Sequence, residues 1–249
     1  LQGKFVFHQF DLRSIDRFTE HLISTGTGLV IDVSWGDTVD LLRCCNKQGV
    51  KYVNTAMENT YIDDNEEQFY GFPLAERMDY FEKYKGEFTN TSAIICSGMN
   101  PGVVQWMALE LLKGHKEQPL GCYIVEEDST FFKDGGKARK NVIYTTWSPE
   151  CFLDEAIASY PMLVKNNTPL FLYEDVYDIE FKVTLGDKEF FGCLMPHEEV
   201  YTLGKISDME CGFLYKVNDH TTELIRSNLA DVDRLWDYEM EVLDPGNHE

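Results

Sequence analysis

Apolar positions in the first half of the chain switch repeatedly between short β-branched runs and longer stretches with helical spacing. Residues 4–10 (KFVFHQF) read as a strand. Ser14 is the expected N-cap of a helix with Ile15, Phe18, Leu22 and Ile23 on one face. Residues 28–33 (GLVIDV) read as a buried strand. Asp37 suits the cap of a second helix, whose apolar face holds Val39, Leu42, Cys44 and Cys45 and which stops at Gly49. Residues 50–56 read as another strand, 72–86 as a helix aligning Leu74, Met78, Phe81 and Tyr84, and 92–98 as a strand. A helix is expected from Pro101, with Asn100 as its N-cap, and residues 120–127 (LGCYIVEE) close the series as a strand.

Such alternation predicts an α/β unit with a parallel sheet and right-handed crossovers. The rhythm changes near Asp128, and residues 131–141 (FFKDGGKARKN) look like a connection between domains. Beyond it, 141–147 read as a strand, and Ser148 with Pro149 begins a short helix. Residues 170–196 read as antiparallel strands turning at Leu185–Gly186–Asp187, residues 211–217 as one more strand, and 221–240 as a closing helix. The expected architecture is a Rossmann-like parallel sheet over residues 1–128, then an α+β substrate domain with a mostly antiparallel sheet over 129–249. The last seven residues, LDPGNHE, do not look like a domain end.

Charge narrows the ligands. The 249 residues carry a formal charge of -21, which argues against nucleic acid and anionic membranes; it suits cationic ligands, but taken alone it reads more simply as solubility. Seven cysteines lack paired ligand spacing, so no metal site is expected; their apolar settings point to reduced thiols and a cytoplasmic protein. No G-x-G-x-x-G, P-loop or G-x-S-x-G motif is present. In a nucleotide-binding fold the first strand and its phosphate-binding turn would then lie before Leu1. The pentapeptide Gly98–Met99–Asn100–Pro101–Gly102 falls where an open parallel sheet binds ligands, and equally suits a plain capped turn.

Three blocks resemble one family. Residues 30–59 (VIDVSWGDTVDLLRCCNKQGVKYVNTAMEN) are similar to the later strands of the NAD domain of homospermidine synthases, enzymes related to saccharopine dehydrogenase. SGMNPGVVQW (97–106) resembles that family's Asn-Pro-Gly segment, and YTTWSPECFLDEA (144–156) its Asn-Thr-Trp-Ser segment. A fourth block, FFGCLMPHEEV (190–200), resembles a His-x-Glu segment, and the blocks keep the family order. Two positions depart from the pattern: Glu58–Asn59–Thr60 replaces Glu-Pro-Trp, and Glu198 replaces the Asn between His197 and Glu199. Both domains would be incomplete against that family.

The resemblance implies NAD as cofactor and putrescine as substrate: oxidation to an imine, loss of ammonia, condensation with a second diamine, and reduction by the same NADH; a relative of saccharopine or carboxynorspermidine dehydrogenase and a non-catalytic polyamine-binding fragment are the alternative readings. A homodimer is among the expected assemblies. Read alone, Trp147 is a core tryptophan at a strand end; by resemblance it faces an iminium, for which an indole face is suited. His197 and Glu199 flank an expected strand end, where alternation would put both on one face, and a histidine there can carry protons. His220 is a weaker rival. Glu155 (preferred to Glu150), Glu58, Glu126 and Asn100 are assigned to substrate ammonium groups or the pocket floor, the middle two as strand-end carboxylates. Ser34, Asp37, Thr38, Asn54 and Thr55 would border NAD, although as caps and turns the first three need no cofactor.

Overall fold

The computed structural model describes residues 5–117, 119–206 and 208–244. The chain forms two compact units, one running through Glu66 and resuming over 75–103, the other taking 67–74 and everything from Val104 onward. The first unit holds α1 (Ile15–Thr25), β1 (Leu29–Asp32), α2 (Thr38–Gln48), β2 (Lys51–Asn54), α3 (Thr60–Asp63), most of α5 (Pro73–Tyr84) and β3 (Ala93–Ile94), while the short α4 (Glu66–Phe69) falls at the division. Its three strands are parallel in the order β1-β2-β3, as strand–helix alternation requires. Asp37 caps α2 through a bond from the Asp40 amide (2.9 Å), and left-handed Gly49 ends it. The core is made by Phe18 and Leu22 of α1, Leu41, Leu42, Cys44 and Cys45 of α2, and Val50 and Tyr52.

Several expectations fail here for physical reasons. Residues 5–10 have no regular structure, and Phe5, Val6 and Phe7 are exposed, because alternation makes a strand only where a partner strand accepts it; Lys4 lies outside the described residues. β1 is an edge strand rather than a buried one, with Leu29, Ile31 and Val33 exposed. Ile23 is exposed, and Ser14 stands at the start of α1 without a side-chain cap bond. β3 is only two residues long and exposed. The following helix, α6 (Val103–Lys113), begins after Gly102, so Asn100 and Pro101 precede it instead of capping it.

That turn explains its own glycines. The Gly98 amide donates to the Pro101 carbonyl (2.7 Å), and the Val103 amide to the Gly98 carbonyl (3.0 Å). Gly102 has φ +135, and a Cβ there would run into the Gly98 carbonyl oxygen. The close approach that Gly102 permits is that of the Gly98 backbone. Gly102→Ala should cost about 1–3 kcal/mol of stability, read by denaturant unfolding; a loss below ~0.5 kcal/mol, the size of an ordinary surface substitution, would contradict this account of the turn.

The second unit continues with β4 (Gly121–Asp128), β5 (Val142–Thr145), α7 (Pro149–Ile157), β6 (Met162–Lys165), β7 (Thr168–Phe171), β8 (Glu180–Leu185), β9 (Lys188–Met195), α8 (Glu198–Gly204), β10 (Glu210–Val217), α9 (Asp219–Arg226) and β11 (Glu239–Val242). Its main sheet runs β7-β6-β10-β9-β8 with antiparallel pairings, and β4 joins β10 in parallel. β4 therefore belongs to this sheet and not to the first one, where the rhythm of the sequence places it. Ser148 caps α7 (3.3 Å to the Cys151 amide), Pro149 is its first residue, and β8 and β9 form a hairpin at left-handed Gly186. The expected long closing helix breaks after Arg226 into 3₁₀ turns over Leu229–Asp237, then becomes β11, parallel to β5. Residues 245–249, most of the terminal LDPGNHE, lie outside the described residues. The fold is thus mixed α/β, a parallel sheet followed by a separate, mostly antiparallel one.

Candidate active site

The second unit gathers the chemistry. β9 ends at Met195, and His197 takes the N-cap position of α8 in an extended conformation (φ -157, ψ 149). Glu198 and Glu199 follow as the first helical residues. His197 and Glu199 do meet, but through this strand-to-helix corner rather than by strand alternation: His197 Nδ1 is hydrogen-bonded to Glu199 Oε2. Glu198 Oε2 is 3.6 Å from the same nitrogen, and Glu155 Oε1, from the last turn of α7, is 3.8 Å from Nε2. Glu199 is fully buried, and the side chains of His197 and Glu155 are 7% and 22% exposed.

Three carboxylates around one imidazole control its protonation. Burial disfavours the imidazolium, yet Glu199, Glu155 and Glu198 outweigh it and raise the His197 pKa to about 10. For Glu155 burial dominates; His197 opposes it, Glu198, Asp154 and Glu199 add to it, and the carboxyl rises to about 8. Near neutral pH the resting site is a protonated histidine beside a neutral Glu155. Glu155 Oε2 and Glu199 Oε1 are buried and have no hydrogen-bond partner, and among the described residues no Lys or Arg pairs with either carboxylate. A group bearing several N–H donors and positive charge is what such oxygens accept. His197, Glu198 and Glu199 each offer a ligand atom within 4.8 Å of one another, a spacing open to a metal ion, whose binding would require His197 to release its proton.

Aromatic contacts lead from this cluster to Trp147. The His197 ring lies 4.5 Å from that of Phe213, Phe213 lies 5.9 Å from Tyr215, and the Trp147 indole N–H donates to the Tyr215 hydroxyl (3.0 Å). Tyr215 in turn donates to Asp128 Oδ2 (3.2 Å), which also accepts from the Thr146 hydroxyl (2.6 Å). Sequence reasoning misses Tyr215 and Asp128. The available signal is period two: Tyr215 shares a strand face with Phe213, and Asp128 shares one with Glu126. β4 continues to Asp128, so Glu126 is not a strand-end residue as expected; it lies opposite Tyr215 in the register and close enough to influence its hydroxyl. Glu150 accepts from Ser148 on the exposed side of α7, and His220 bonds the Val142 carbonyl and stacks on Phe131, so neither joins the cluster.

The remaining assigned residues lie in the first unit. β2 ends at Asn54, and Glu58 sits four residues later in a loop, pinned through its backbone to Thr38. Ser34 donates to Asp32 (2.6 Å) and accepts from the Gly36 amide; Asp37 caps α2; Thr38 accepts from Asn54 (3.2 Å) and the Glu58 amide; Asn54 accepts from the Cys96 amide (2.8 Å). These residues mark the carboxyl ends of β1 and β2, where a nucleotide would lie. Their side chains are committed to building the loops, so they fit NAD as a shaped backbone rim more than as hydrogen-bonding side chains, and Thr55 is the exception.

No family model and no curated protein matches the chain. Solved structures do, among them two enzymes. A homospermidine synthase from Legionella pneumophila in complex with NAD superposes with a TM-score of 0.65 at 15% identity, covering 89% of this chain and 57% of that one. The chain has the fold of that enzyme. An apo saccharopine dehydrogenase (L-Glu forming) from Saccharomyces cerevisiae gives 0.52 at 12% identity, over 91% and 47%. The chain thus spans about half the length of the enzymes whose oxidoreductase-like fold it shares. No helix among the described residues is long and apolar enough to cross a membrane.

Proposed function

We propose that the chain is the amine-handling part of an NAD-dependent enzyme of the homospermidine synthase type, which joins two putrescine molecules with loss of ammonia. The observation that carries this reading is the buried cluster of Glu155, Glu199 and His197, with two unpartnered carboxylate oxygens and an aromatic path to Trp147. A pocket for saccharopine, whose carboxylates call for Arg or Lys, would not be built this way.

In this reading the loops at the β1 and β2 ends would hold NAD, which when bound would supply the hydride chemistry. The chain's residues do the rest. An incoming ammonium displaces the Glu155 proton, and the new carboxylate holds the amine. Glu199 fixes the orientation of His197, which carries protons to and from the nitrogen during imine formation and ammonia release. The Trp147 face shelters the cationic imine. Glu58, Glu126 and Asn100 are proposed as further amine contacts, and Ser34, Asp37, Thr38, Asn54 and Thr55 as the cofactor rim.

Turnover tests the reading. With NAD and putrescine the protein should form ammonia and homospermidine in equal amounts. Turnover of saccharopine with putrescine inert would replace it by an amino-acid dehydrogenase.

A further inference from the structure

A cavity of about 270 Å³ opens in the second unit, bounded by β8, β9, the end of β10, α9 and the short turn over Val176–Asp178. It contains none of Trp147, Glu155 or His197. Its volume matches that of about nine water molecules, enough for a short aminoalkyl chain. Phe190 and Phe191 supply apolar wall, and four carboxylates face two cations, so the lining is net negative.

Most of that charge is already committed. Arg226 pairs with Glu180 (2.7 Å) and donates from Nε to the Tyr177 carbonyl (3.2 Å); Lys216 pairs with Asp219 (3.4 Å), and Glu189 with Lys182 (3.0 Å). Two groups are left. Among the described residues the Glu223 carboxylate makes no ion pair or hydrogen bond, and the Tyr177 hydroxyl is buried without a partner although the residue is only 2% exposed. A buried hydroxyl left without a partner is unfavourable until something bonds it. Burial keeps it a neutral phenol. Tyr177 also lies within electrostatic reach of Glu155 and Tyr215, and Tyr215 lines the cavity while its hydroxyl holds Trp147.

We propose that this cavity is a second amine seat, in which a primary alkylammonium is held by the Tyr177 hydroxyl and the Glu223 carboxylate with its methylenes against Phe190. The inference rests on the diamine reading, since an enzyme that condenses two amines needs two seats near each other.

Calorimetric titration of the full chain with putrescine tests it. The expected stoichiometry is two amines per chain, falling to one in Tyr177→Phe, in Glu223→Gln and in Glu155→Gln, with the lost site weakened at least tenfold. Tyr177→Phe should melt no lower than wild type, because it deletes only an unpartnered hydroxyl. Glu223→Gln alters an exposed residue, so it isolates the seat from folding. Two undiminished sites in Tyr177→Phe or Glu223→Gln would overturn the second seat and leave the diamine reading standing. So would a single wild-type site lost only in Glu155→Gln. A wild type that binds no amine would overturn both.

Discussion

Glu155→Gln should weaken putrescine binding at the His197 cluster by roughly 10- to 100-fold, the worth of one charge-assisted hydrogen bond of about 1.5–3 kcal/mol. The same substitution should stabilise the free protein at pH 8. The Glu155 carboxyl is raised to about 8, so between the ordinary carboxylate range and pH 8 the folded state holds a proton that the unfolded chain has released. Folding stability therefore falls as pH rises through that window, and an amide in place of the carboxyl abolishes the fall. His197, raised to about 10, adds stability that is complete below its ordinary pKa and is lost as pH climbs toward 10. Unfolding measured from pH 5 to pH 10 should show wild type losing stability across the whole interval and Glu155→Gln losing it mainly in the upper half. Parallel curves would mean that Glu155 is not buried beside its partners.

Trp147→Ala should slow turnover by about 30-fold or more, and Trp147→Phe much less. A desolvated indole face is worth about 2 kcal/mol to a cation, and each 1.36 kcal/mol is tenfold in rate. The two variants are informative together because both lose the hydrogen bond from the indole N–H to Tyr215, whereas only Ala loses the ring. Equal rates in the two would assign the effect to that hydrogen bond and to the positioning of Tyr215 and Asp128. Single-turnover reduction of NAD is the appropriate readout, since it separates chemistry from product release.

Local signals in the sequence locate most elements. Asp37, Gly49, Ser148, Pro149 and Gly186 all act as caps or turns where their residue types prescribe. The failures are non-local. Residues 5–10 alternate like a strand and find no partner, and β4 has the composition of a parallel strand but pairs with β10 some ninety positions later in the chain. The end of the chain reads as one helix, yet Asp231 leaves helical geometry and the last stretch pairs with β5.

The candidate site divides in the same way. Family resemblance points to Glu155, His197 and Glu199, and the fold brings them together, but strand alternation is the wrong reason for the last two, because a helix begins where the strand is expected to end. Tyr215 and Asp128 escape sequence reasoning altogether: their bond joins residues 87 positions apart, which no local pattern reports. For the cofactor rim, residue type does not distinguish a loop-building side chain from a ligand-binding one. Thr38 and Asn54 bond to each other.

In the proposed function Glu155 gives up a proton to receive a substrate ammonium. Putrescine binding at pH 7, titrated in two buffers with different heats of ionisation, measures that proton directly. Close to one proton should be released per amine bound at this site in wild type and none in Glu155→Gln. Tight binding with no proton release, or equal release from both proteins, would contradict the account.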